Sequence, residues 1–259
     1  MITKSQIKYV HSLGIKKYRD QERCFIAEGP KVVTDLFPLL HCKNLFVTPD
    51  FKDQLKKTHL DRCEEVIEVT QKELERLSLL RTPRGALALF EYVDGMTDYQ
   101  TMETISQQEL CIALDGVQDP GNLGTILRIA DWFGITHIFA SKETVDVYSP
   151  KVVQATMGAI GRVMVHYIDL KDFLEHCSRT TYLWGTFLDG SNIYQEELQN
   201  KGIIVMGNEG KGISPDLARL INKRLFIPNY PMGRSTSESL NVAVATAITV
   251  AEFRRSHLG

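Results

Sequence analysis

The chain has 259 residues, of which 43% are hydrophobic and 24% charged, and its formal net charge is −2. That composition excludes disordered and fibrous classes, and the length holds one large domain or two modest ones. Bulk charge exerts no pull on nucleic acid, so binding of that kind must rest on a local patch.

No apolar run reaches the length of a membrane span, and Met1-Ile-Thr-Lys begins no signal peptide. Cys24, Cys42, Cys63, Cys111 and Cys177 form no C-x-x-C pair. That spacing argues against a zinc site or disulfide framework, and for a reducing cytoplasm.

From Arg23 to Phe90, CFIA (24–27), LFVT (45–48), VIEV (66–69) and GALALF (85–90) read as strands. Residues 30–40 and 70–80 read as helices, the second opened by Thr70 with Glu73 three residues on, a capping-box spacing. The polar stretch 91–109 has weak periodicity and reads as a linker with room for one helical turn. Alternation then resumes with strands at 110–116, 136–140, 162–168, 182–188, 202–207 and 224–228. Apolar throughout, these fit a parallel sheet covered on both faces. The expectation is an α/β protein with domains at 1–95 and 109–259, joined by a linker at 96–108.

Three loops of the second half carry residues suited to chemistry. In LDGVQDPGNLGTILRIADWFGI (114–135), Asn122 stands where a helix N-cap is expected. Leu123, Ile126, Leu127, Ala130 and Phe133 then form one buried stripe at helical spacing. Arg128 projects opposite that stripe, near Thr125 and Trp132. It is either a solvated arginine or one poised over the carboxyl end of the sheet, where open α/β sheets bind ligands.

The second loop, IVMGNEGKGIS (204–214), lacks the spacing of a phosphate or dinucleotide loop, and Glu209 would oppose an anion. Its glycines suit a loop wrapping a neutral or cationic ligand. An ordinary strand-to-helix turn explains only its end, Ser214-Pro215. In the third, after Ile227-Pro228, a helix apolar on nearly every side begins near Ser239. Such a helix is buried in a core or an oligomer interface. Ser239 and Asn241 stand at its first turn, where capping and ligand contact are both open readings.

In order and spacing, these stretches resemble the SpoU family of RNA ribose 2′-O-methyltransferases, within the SPOUT superfamily. The residues that carry the likeness are Asn122 and Arg128 in NLGTILR, Gly207, Glu209 and Gly210 in GNEGKGIS, and Ser239, Leu240 and Asn241 in SLNV. A weaker likeness over residues 20–90, in FIAEGPKVV and TPRGALALF, is to the family's small substrate-binding domain.

The resemblance implies an α/β fold with a C-terminal parallel-sheet domain tied in a deep trefoil knot, plus a small N-terminal α/β RNA-binding domain. It also implies a homodimer with S-adenosyl-L-methionine as cofactor and no metal. By position, Gly207, Gly210, Ile227 and Leu240 hold the cofactor, with Thr186 and Met232 as neighbours. Arg128 is expected to stabilise a developing alkoxide and grip the adjacent phosphate, oriented by Asn122 and Glu209, with Ser239 and Asn241 beside them. A guanidinium carries only donors and has no site to accept a proton, so that role is electrostatic.

RNA capture is assigned to the basic N-terminal stretch, Lys16, Lys17, Arg19 and Arg23, with Arg81 and Arg84 as weaker candidates. The implied activity is methyl transfer to a ribose 2′-hydroxyl of ribosomal RNA, because the small N-terminal domain is typical of members acting there. The alternatives are a tRNA ribose 2′-O-methyltransferase and a non-catalytic RNA-binding or ribosome-assembly protein on the same fold.

Overall fold

The structure, a computed structural model, describes residues 2–231, 234 and 239–257. It resolves into two compact units: residues up to Asp94 together with Asp146–Arg162, and Gly95–Val145 together with residues from Val163 onward. Among the described residues no helix is long and apolar enough to cross a membrane.

The elements up to Asp94 are α1 (Lys4–Ser12), α2 (Lys16–Glu22), β1 (Cys24–Glu28), α3 (Pro30–Leu36) and β2 (Cys42–Val47). After them come α4 (Pro49–Lys52), α5 (Lys57–Leu60), β3 (Cys63–Glu68), α6 (Gln71–Leu77) and β4 (Ala86–Glu91). Their sheet has the order β1-β4-β2-β3, with β4 antiparallel to both neighbours and β2 parallel to β3. The Thr70–Glu73 spacing closes the expected capping box at the start of α6.

The remaining elements are α7 (Tyr99–Gln108), β5 (Leu110–Leu114), α8 (Pro120–Trp132), β6 (His137–Ser141), α9 (Pro150–Thr156) and β7 (Met164–Ile168). The chain ends through α10 (Leu170–Cys177), β8 (Leu183–Asn192), β9 (Gly202–Met206), α11 (Pro215–Ala218), β10 (Lys223–Phe226) and α12 (Val242–Arg255).

Helix α9 and its flanks belong to the first unit. Asp146 pairs with Arg19 at 2.6 Å, and Tyr148 stacks on Tyr92 with centroids 3.9 Å apart. An added Cβ on Gly158 would lie 2.8 Å from Asp35, so the segment lies tight against α3.

In the second unit six parallel strands run in the order β10-β8-β9-β5-β6-β7. Alternate residues face opposite layers. Cys111, Ala113, Ile203 and Val205 join a cluster with Met102 of α7 and Phe173 of α10. On the other layer α8 and α12 pack on each other, and Phe253 meets Trp184 edge-on at 5.1 Å.

The stretch expected to be a linker with one turn holds the ten-residue α7, capped by Asp98. Its buried face mixes Met102 with Glu103 and Ser106. Glu103 bonds Thr180 and lies 2.9 Å from His176, and this polar burial hides the helical period.

Candidate active site

Strands β5 and β9 are neighbours although three strands separate them in sequence, so the strand order reverses between them. A crevice opens at the carboxyl ends of parallel strands at such a point. The loops after β5 and β9, the middle of β8, and the segments after β10 and before α12 all contribute to it.

The loop after β9 closes on itself. Asn208 N donates to Gly212 O at 3.0 Å, and Gly212 N donates back to Asn208 O at 2.9 Å. The Asn208 side chain accepts from Gly210 N and Lys211 N and donates to Gly116 O at 2.7 Å. A Cβ on Gly207 would lie 2.1 Å from the Gly212 carbonyl carbon, so only glycine permits this closure. The glycines close a collar and do not cradle an anion.

Glu209 turns towards α8. Its carboxylate accepts from Asp119 N at 3.1 Å, Gln118 N at 3.3 Å and Asn122 Nδ2 at 3.1 Å. Burial drives its pKa upward, but donation from Asn122 and from backbone amides outweighs that and holds the carboxyl below its ordinary value. Asn122 Oδ1 accepts from Asn241 Nδ2 at 2.9 Å, while Asn241 Oδ1 caps α12 by accepting from Ala243 N and Val244 N. One chain of hydrogen bonds therefore orients both asparagine amides and ties the starts of α8 and α12 to the β9 loop.

Asn122, expected from the sequence to cap α8, is not its cap. Asp119 is the N-cap and accepts from Asn122 N at 2.8 Å, with Pro120 first in the helix. Asp-Pro at a helix start was the available signal for that cap. Relieved of capping, the Asn122 side chain reaches Glu209. Asn208 is a second residue the sequence reading passed over, since nothing local shows that its amide organises the loop.

A cavity of about 450 Å³ is lined by Thr186, Gly207, Gly210, Ile227 and Leu240, the described members of the expected cofactor set. Met232 lies outside the described residues. Met206, Ile213 and Phe226 add apolar walls. The β8–β10 register jumps between Arg224 and Leu225, so residues 186–190 bow out of β8 and present Thr186 to the cavity. A polar hollow shares Glu209, Ser239, Leu240 and Val242 with this cavity and adds Asp119, Asn122 and Asn241.

Arg128 lines neither space and is exposed. Six helical positions from Asn122 place it about 240° around and about 9 Å along α8. The expected orientation of Arg128 by Asn122 and Glu209 is therefore not found within one chain, where those two bond each other.

The RNA candidates all lie in the first unit. Lys16 is exposed and pairs with Asp20 at 3.3 Å, and Lys17 and Arg84 are exposed. Arg23 pairs with Asp94 and lies over the Tyr92 ring at 5.2 Å. Arg19, expected on the RNA-facing surface, is buried instead. It is 2% exposed and donates to Asp146 and to the Leu13 carbonyl, which removes it from any RNA-facing surface.

Residues 109–251 match the profile of the SpoU rRNA Methylase family, and residues 4–88 match the MRM3-like substrate binding domain. The 23S rRNA (guanosine(2553)-2′-O)-methyltransferase RlmP of Bacillus subtilis is 26% identical over 252 residues, 96% of either chain. The solved AdoMet-bound rRNA methyltransferase of Sinorhizobium meliloti is 32% identical, with a TM-score of 0.85 over 100% of this chain and 97% of that one. A TrmH-family protein of Porphyromonas gingivalis is 39% identical, with a TM-score of 0.84 over 98% and 99% of the two chains.

Proposed function

Since the chain belongs to the SpoU rRNA methylase family, we propose that it transfers a methyl group from S-adenosyl-L-methionine to a ribose 2′-hydroxyl of ribosomal RNA. The observation that carries this reading is the Glu209–Asn122–Asn241 chain at the seam between an apolar cavity and a polar hollow. The cavity fits the cofactor. Its walls are apolar side chains and loop backbone with Thr186, Asn208 and Ser239 as neutral polar lining, and its charged lining residues are Glu209 and Lys211. A polyphosphate ligand would meet Glu209, whereas a sulfonium nucleoside has no phosphate to repel.

When bound, the cofactor supplies an electrophilic methyl group. The collar at Gly207–Gly210, with Ile227 and Leu240, holds it, and the polar hollow with Ser239 and Asn241 receives the ribose. Holding two reactants in line can lower a barrier by about 7–11 kcal/mol without a covalent step. Arg128 faces away from its own chain's hollow, and we assign it to the hollow of a second copy in a homodimer. There it stabilises the developing alkoxide. Trp132, 85% exposed on the same helix, and Val244 on α12 provide apolar surface for that pairing. Threading of the C-terminal segment as a knot belongs to the same reading, which the convergence of the β8, β9 and β10 loops on one cavity supports.

The match to a substrate-binding domain across residues 4–88 favours ribosomal RNA over transfer RNA. The test is methyl transfer by the purified chain from labelled cofactor to rRNA or tRNA of cells lacking its gene. Label at a ribose 2′-oxygen of rRNA is expected. Label on tRNA alone selects the second substrate, and no transfer to either overturns the activity.

A further inference from the structure

The first unit contains a buried carboxylate for which methyl transfer has no use. Glu28, the last residue of β1, is 4% exposed and makes no salt bridge among the described residues, where only the charge of His11 reaches it. One carboxylate oxygen accepts from the Ser78 hydroxyl and the other from Leu79 N at 3.1 Å. Ser78 Oγ in turn accepts from Leu80 N at 2.9 Å. Burial pushes the Glu28 carboxyl up from its ordinary value against these two donors. Burying an acid without a cation is unfavourable, so the loop it fixes must matter.

That loop joins α6 to β4 and is pinned at three points. Glu28 holds its start, Gln71 Nε2 donates to the Pro83 carbonyl at 2.9 Å, and Thr48 N donates to Gly85 O at 2.9 Å. Between the pins Arg81, Thr82 and Arg84 are exposed.

Other arginines of the unit are committed. Arg19 serves Asp146, Arg23 serves Asp94, and Arg62 donates to the carbonyls of Phe37 and Pro38. Arg76, Arg81 and Arg84 have no acidic partner among the described residues, and all three lie in the last turn of α6 or the loop after it. Forked guanidinium donors on a fixed backbone match phosphate oxygens, and fixing them beforehand removes an ordering cost from binding.

We propose that Glu28, through Ser78 and Leu79, is a positioning residue that sets the loop Leu79–Arg84 as the grip on the RNA sugar–phosphate backbone. The proposal rests on the rRNA-methylating reading for the identity of the polyanion. It moves the centre of RNA capture from the Lys16–Arg23 stretch to the end of α6.

The test uses the full chain, an rRNA transcript and equilibrium binding across a salt series, with methyl transfer measured separately. Arg81→Ala/Arg84→Ala should weaken RNA binding at least about tenfold and reduce the slope of log Kd against log salt by about two. Glu28→Gln places an amide N–H against one of the two donors and should weaken binding about tenfold while cofactor affinity stays unchanged. Added to the double arginine variant, Glu28→Gln should have no further effect, because it acts through those arginines.

Equal weakening by Glu28→Gln in both backgrounds would reduce Glu28 to a general structural role and overturn the proposal. Unchanged affinity of the double arginine variant would overturn it too. Should Glu28→Gln not fold, Ser78→Ala enters the same cycle. A chain that binds RNA through this loop but transfers no methyl group refutes the activity alone. A methylating chain indifferent to the loop refutes this inference alone.

Discussion

Glu209 is held by three N–H groups from the start of α8 and its approach, and each of those groups can only donate. An amide in its place would set one N–H₂ against them. A charge-assisted hydrogen bond contributes about 1.5–3 kcal/mol, so Glu209→Gln should weaken cofactor binding about tenfold or more by calorimetry. With its pKa held below the ordinary value, Glu209 keeps its stabilising charge above the usual carboxylate pKa and loses it as pH falls through the folded value. No ionisation of this group should then appear in the rate profile at neutral pH.

His166 makes the opposite kind of demand. Its Nδ1 accepts from Met96 N at 2.9 Å, so Nε2 carries the proton and donates to His137 Nδ1 at 3.0 Å. Burial depresses its pKa from 6.5 to about 4. The unfolded chain then binds the extra proton first, so stability is full above pH 6.5 and is lost as pH falls towards 4. Thermal melts between these limits should show a loss of the order of 3 kcal/mol in the wild type. His166→Phe should flatten it, and an unchanged slope would assign the acid sensitivity elsewhere.

At the scale of elements, the β9 collar depends on the missing side chain of Gly207. A methyl group 2.1 Å from a backbone carbon forces the loop open, so Gly207→Ala should abolish cofactor binding while far-ultraviolet circular dichroism stays native.

The strands were legible because both faces of the second sheet are apolar, and Ile203, Ile204 and Val205 are a buried run of β-branched residues. Helix α7 was not, because two of its three buried residues are Glu103 and Ser106. Gly207 and Leu240, named from the sequence, do line the cavity, because each stands in a loop beside the end of a strand or helix. The sequence was not legible at Arg19, whose partner Asp146 is 127 positions away, nor at Asn208, whose role exists only once the loop has closed.

For the whole molecule, the position of Arg128 yields an assay that needs two copies. On the proposed pairing, Arg128→Ala and Asn241→Ala chains should each be inactive as pure dimers. After mixing and subunit exchange, half of the dimers are hybrids with one intact site apiece, which predicts about a quarter of wild-type activity. A mixture as dead as its parents would place Arg128 in its own chain's site.

The segment Asp146–Arg162 adds a consequence for modularity. Its residues are encoded between β6 and β7 of the second unit yet fold into the first, so the chain passes from one unit to the other three times. No single cut can therefore separate the two units. A deletion of residues 1–94 would strip Val152, Val153 and Ala159 of their cover and should yield aggregating protein. In gene fusions and chimaeras, the tradable cassette is discontinuous. A foreign first unit must bring its own version of this strap, or it arrives without part of its core.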